Sequence, residues 1–203
     1  MKFKLFSVEL RVSYPAVAFF TLALICDKNK TMLICLLCSL FHEAGHIAAM
    51  KLSGAKLKSV SLNLGDVAIN ADSTTLSYNS EVFVTISGVA VNFILSGVSF
   101  AVYSVSKDNI SFSFGVSNLL IGIFNLLPVR FLDGGQLLMY LLQKRFTPKI
   151  CDKITDVLTV VFVIPIAIWG IIFLFNSSYN FSLLFAAIYL ICTLVSKEYK
   201  HVS

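Results

Sequence analysis

Long apolar runs alternate with short polar segments along this chain. The runs occupy residues 12–26, 31–50, 82–105, 111–129, 157–175 and 181–196. A helix needs about 20 residues to cross the hydrocarbon core of a bilayer, within a range of roughly 17–25. The second to fifth runs have that length, and the first and last lean on their flanks. About six transmembrane helices are therefore predicted. Residues 57–70 read differently, because apolar and polar side chains alternate around Gly65-Asp66, the period of a short strand pair. At 125–135 the apolar run breaks at Pro128 and carries Arg130 and Asp133. Irregular backbone at membrane depth persists only where protein buries it or where it lines a wet cavity. The expected fold is an all-α integral membrane protein with a short membrane-associated hairpin near 57–70. With no internal repeat or soluble appendage in view, 1–203 is expected to form a single domain.

Composition sharpens this picture. Of the 203 residues, 57% are hydrophobic and 13% charged, and the mean hydropathy is +0.85. Soluble domains carry about 25% charged residues. A water-soluble fold of this size would expose large apolar patches, which excludes a cytosolic enzyme, a disordered chain and a nucleic-acid-binding module. With the N-terminus placed in the cytoplasm, 13 of the 16 Lys and Arg residues fall inside and only Lys28, Lys30 and Lys107 fall outside. That asymmetry predicts a multi-pass chain with both termini cytoplasmic. Lys2, Lys4 and Arg11 before an apolar run have the look of a signal peptide, but no small-x-small site follows and Ile25 spoils a lipoprotein-like site before Cys26. A retained anchor is expected. The five cysteines are odd in number and lie in or beside apolar runs, so no disulfide framework is legible. Cys35 and Cys38 read as apolar packing rather than a redox pair. The basic cluster at 144–153 reads as an anchoring cytoplasmic loop, with docking of an acidic partner or anionic lipid as the alternative.

The second run contains His42-Glu43-Ala44-Gly45-His46. Positions i and i+4 share one helix face about 6 Å apart along the axis, so two imidazoles can hold one Zn²⁺ at about 2.0–2.1 Å. Glu43 can then accept a proton from water activated by the metal. With three His and four Glu in the chain, independent placement yields this pattern roughly once in a thousand sequences. Ionisable residues inside a spanning helix also point to a functional site. A third protein ligand is needed. His201 lies in the C-terminal tail, whereas Asp133 lies in a helix break beside two glycines and on the same, cytoplasmic side as His42 and His46. Asp133 is the expected ligand; a solvated turn aspartate is the alternative.

Together with Asn125-Leu-Leu-Pro128 and Leu132-Asp133-Gly134-Gly135, the His42–His46 motif resembles the site-2 proteases, the intramembrane zinc metalloproteases (peptidase M50). The resemblance implies a catalytic core at about 31–135, one zinc per chain on His42, His46 and Asp133, and Glu43 as catalytic base. It places 57–70 as the family's strand region that pairs with extended substrate, with Gly65-Asp66 where the family often has Gly-Gly. Gly88 to Asn92 resembles a family Gly-Pro-x-x-Asn element with Val89 in place of Pro. Asn92 is thus a candidate for substrate positioning, with an interhelical hydrogen bond as the alternative. Asn125 can position substrate or stabilise the oxyanion, or simply close a helix. The layout, with no PDZ-like or C-terminal nucleotide-sensing domain expected, is similar to the stage IV sporulation protease group. That implies a bacterial cytoplasmic membrane, a membrane-spanning or membrane-associated substrate such as a sigma factor precursor or anti-sigma factor, and a regulatory membrane protein as partner. Two other readings compete: a metal-ion transporter or sensor using the same His and Asp ligands, and a proteolytically inert membrane scaffold.

Overall fold

The computed structural model describes residues 2–5, 8–14, 17, 21, 24–25, 27, 30–62, 67–72 and 76–176. Its chain falls into two compact units, with the boundary between Asn125 and Leu126. Most of the predicted first span (12–26) and all of the last (181–196) lie outside the described residues, so the described helices do not test the count of six.

The first unit holds strands β1 (Lys2–Leu5), β2 (Val8–Val12), β3 (Lys56–Leu62) and β4 (Val67–Asp72) and helices α1 (Thr31–Leu52), α2 (Tyr78–Ser106) and α3 (Asn109–Asn125). The predicted hairpin is present: β3 and β4 pair antiparallel, with Val60 opposite Ile69 and a register shift between Leu57 and Ser59. The sheet is larger than the sequence pattern suggested. Its order is β1-β2-β3-β4, with β2 parallel to β3 and β1 antiparallel to β2. The N-terminal segment, expected only to flank an anchor, thus supplies two strands. Its alternation of Lys2, Lys4, Glu9 and Arg11 with Phe3, Leu5, Val8 and Leu10 is the period-two signal.

Of the described helices, α1 and α2 are long and apolar enough to cross a membrane. The Asp27 carboxylate accepts hydrogen bonds from the Thr31 and Met32 amides at 3.2 and 2.7 Å, satisfying donors that no earlier turn can reach. Gly54, at φ +80°, ends α1. The Ala55 amide returns to the Met50 carbonyl at 3.0 Å, a closure that favours glycine in the left-handed position. The sharp turn sends the chain straight from the motif helix into β3. Asp108 immediately precedes α3; hydrogen bonds from the Ser111 and Ile110 amides hold its carboxyl below the ordinary aspartate range. Helix α1 packs on both α2 and α3, and α2 packs on α3.

In the second unit, α4 (Asp133–Gln143) packs on α5 (Pro148–Asn176). The predicted helix break is real, since α3 stops at Asn125 and α4 starts at Asp133. The segment expected as a basic loop is partly helical, because α5 begins at Pro148 rather than at 157. Proline suits a first helical position, where its missing N–H costs no hydrogen bond.

Candidate metal centre

The i, i+4 spacing places both motif histidines on the face of α1 that meets α2, and both are buried. Close helix approach makes room for them. A Cβ on Gly45 would lie 2.9 Å from the Ser87 carbonyl oxygen and 3.1 Å from the Gly88 Cα. A Cβ on Gly88 would lie 2.4 Å from His46 Nε2 and 2.9 Å from His42 Cε1. The imidazoles therefore rest directly on the α2 backbone, where only hydrogen leaves space. Ala44, the other small residue of the motif, is exposed.

Each ring is oriented through Nδ1. His42 Nδ1 lies 2.9 Å from Asn92 Oδ1, and His46 Nδ1 lies 2.8 Å from the Val84 carbonyl oxygen. Both partners are acceptors, so each Nδ1 donates its N–H, and a neutral ring then carries its lone pair on Nε2. The two Nε2 atoms face each other at 3.1 Å. Two nitrogens at that distance are held by a proton shared between them or by a metal ion bound to both. Nitrogens bound at about 2.05 Å to one tetrahedral zinc lie about 3.3 Å apart, close to the observed separation. Metal-binding histidines commonly donate their second nitrogen to a carbonyl or similar acceptor in this way. The donor set in α1 and α2 fits zinc.

Asn92 itself is fixed. Its Nδ2 donates to Asn118 Oδ1 at 3.3 Å, and Asn118 Nδ2 donates to the Phe114 carbonyl at 3.0 Å and to Cys38 Sγ at 3.1 Å. Donor direction runs one way from His42 through Asn92 and Asn118 to α3, so both amide orientations are determined. Asn92 and Asn118 are fully buried. Of the roles open to Asn92, the geometry gives it an interhelical hydrogen bond that orients His42. Asn118 was not singled out from sequence. Its signal is a mid-helix amide among apolar residues, three residues after Gly115 and four before Gly122, on the buried stripe of α3.

We expect Asn92→Leu to weaken zinc binding by about 10–100-fold, the usual effect of losing such a supporting partner. Asn92→Asp, which keeps the acceptor, should recover most of that loss. Chelator-competition titration measures both.

The other sequence candidates take separate places. Glu43 is half-buried on α1 beside His42. Asn125 closes α3, its Nδ2 donating to the Ile121 carbonyl at 3.0 Å. Gly65 lies outside the described residues. Asp133 is the first residue of α4 in the second unit. Behind it, a Cβ on Gly134 would sit 2.2 Å from the Leu126 carbonyl oxygen, and one on Gly135 would sit 2.0 Å from that of Val129. The paired glycines thus let the 126–132 loop fold back onto the first turn of α4. Cys35 and Cys38 are free thiols. Cys38, fully buried, packs against α3 as expected for an apolar-like side chain.

Known proteins are similar to this chain in sequence and fold. The sequence pattern of peptidase family M50 matches residues 106–169. Zinc metalloprotease MJ0392 of Methanocaldococcus jannaschii is 31% identical over 111 residues, which are 52% of this chain and 32% of that protein. The chain thus spans about a third of the length of that curated relative. The structure of a site-2 protease from Methanocaldococcus jannaschii has a similar fold, with a TM-score of 0.71 at 20% identity, covering 97% of this chain and 94% of that one. With its paired histidines and its helix break ahead of Asp133, the chain is similar to peptidase family M50 over residues 106–169 and has the fold of a site-2 protease.

Proposed function

We propose that this protein is an intramembrane zinc metalloendopeptidase in which His42, His46 and Asp133 hold one zinc and Glu43 is the catalytic base. The observation that carries the reading is the pair of Nε2 atoms facing each other at 3.1 Å with both Nδ1 atoms committed to acceptors. When bound, zinc supplies Lewis acidity, acidifying water and polarising a carbonyl.

The chain's own residues do the rest. Asn92 and the Val84 carbonyl keep both imidazoles in the tautomer that presents Nε2. Glu43, one residue from His42, takes the proton of the attacking water and passes it to the leaving amine. A transmembrane substrate must unwind before its amides can be reached, and the freed backbone groups need new partners. Strand β4, at the end of the sheet order, offers an edge for such pairing.

The finer reading follows the charge asymmetry and the motif order. The site opens toward the cytoplasmic half of a bacterial membrane in a multi-pass chain. Its substrate is a membrane-spanning or membrane-associated protein such as a sigma factor precursor or anti-sigma factor, under control of a membrane partner.

The test is cleavage of membrane-spanning peptides by the full chain in liposomes, followed by mass spectrometry. Cleavage should stop on zinc chelation and return on adding zinc. Zinc uptake by the sealed vesicles with no cleavage, or cleavage indifferent to chelation, contradicts the proposal.

A further inference from the structure

We propose that Arg130 is a positioning residue that fixes Asp133 from a distance, by latching the 126–132 loop onto α5. This inference rests on Asp133 acting as a zinc ligand.

Arg130 lies in the helix break, three residues before Asp133, and its side chain is only 8% exposed. A buried guanidinium must be paired and hydrogen-bonded to be tolerated. Two carboxylates one helical turn apart on α5 meet it: the Nη2 group donates to Asp152, and Nε forms an ion pair with Asp156 at 2.8 Å. The two carboxylates are 45% and 49% exposed, so the ion pairs sit at the surface of this unit with the arginine on the inner side. The Arg130 backbone amide also donates to Thr159 Oγ1 at 3.0 Å, and that hydroxyl donates on to the Thr155 carbonyl at 2.7 Å. Next to it, Val129 is fully buried. Asp152, Asp156 and Thr159 follow the i, i+4, i+7 stripe of α5. Three polar groups on one helix face therefore grip a single loop residue by both its side chain and its backbone.

The grip reaches Asp133 through covalent geometry and close packing. The Leu126 and Val129 carbonyls press on the Cα atoms of Gly134 and Gly135. The Leu132 carbonyl accepts from the Gly135 and Gln136 amides at 3.0 and 3.1 Å. The loop and the first turn of α4 thus move as one body, and Asp133 is the first residue of that turn. A planar guanidinium meets two carboxylates with separate N–H groups in a fixed fork, whereas a lysine ammonium is a compact point charge without that geometry.

The experiment measures zinc affinity of the detergent-solubilised full chain by chelator competition, and hydrogen exchange of amides in 129–136. Arg130→Met should weaken zinc binding by about 10–100-fold, the range for outer partners of a metal site, and raise exchange in 129–136. Arg130→Lys should fall between Arg130→Met and the parent. In an Asp133→Ala background, Arg130→Met should no longer alter zinc affinity, because the route through Asp133 is gone; a general folding defect would persist there. Zinc affinity within twofold of the parent in Arg130→Met, or an equal loss in the Asp133→Ala background, overturns the proposal. A parent chain that binds no zinc refutes the metal-site reading and with it the role of Arg130 toward a ligand. Unchanged exchange in Arg130→Met refutes the latch itself.

Discussion

Glu43→Gln is expected to lower peptide-bond hydrolysis by about 10²–10⁴-fold, the typical contribution of a positioned general base, while about one zinc per chain stays bound. The substitution keeps the size of the side chain and removes only its basicity. Glu43 is half-buried on α1, and the ring orientations depend on Asn92 and Val84, so the imidazoles should hold their places. Cleavage of a membrane-spanning peptide and metal content, measured on the same preparation, check the two halves of this outcome. Retained turnover would remove Glu43 from the role of base. Lost zinc would make it structural.

Gly88→Ala should be nearly as damaging, by a different route. The added methyl would lie 2.4 Å from His46 Nε2, 2.7 Å from His46 Cε1 and 2.9 Å from His42 Cε1. The rings cannot swing aside without breaking their Nδ1 hydrogen bonds, and Gly45 already holds the α1 backbone against Ser87 and Gly88. Overpacking costs about 1–3 kcal/mol, and a lost buried hydrogen bond adds about 0.5–1.5 kcal/mol. At about 1.4 kcal/mol per decade, zinc affinity should fall by about 10–1,000-fold. Gly97→Ala serves as the control, since nothing lies within 4 Å of a Cβ there. Chelator competition on both variants checks the prediction; equal affinities would show that the rings do not rest on Gly88.

What the sequence disclosed and what it withheld divide along physical lines. The helical period carries His42 and His46 to one face, and that is local geometry, readable from spacing. The alternation at 57–70 marked β3 and β4, and Pro128 marked the break that separates α3 from α4. The partners of the two Nδ1 atoms were not legible, because spacing along α1 does not say which atoms of α2 pack against it. Asn92 was noticed, yet its contact with His42 is tertiary, and Asn118 stands one hydrogen bond further away. The strands at Lys2–Leu5 and Val8–Val12 alternated plainly enough, but two short strands are stable only when another strand receives them. Their receiver, β3, lies more than forty residues on. Arg130 read as one positive charge in a cytoplasmic segment. Only the fold places Asp152 and Asp156 against it.

The central claim is that His42, His46 and Asp133 hold zinc, and metal content tests it most directly. The full chain, purified in mild detergent, should carry about one zinc, kept in Glu43→Gln and bound far more weakly in Asp133→Ala, where the two imidazoles alone hold it. Zinc-free protein, or Asp133→Ala binding zinc as tightly as the parent, would contradict the account.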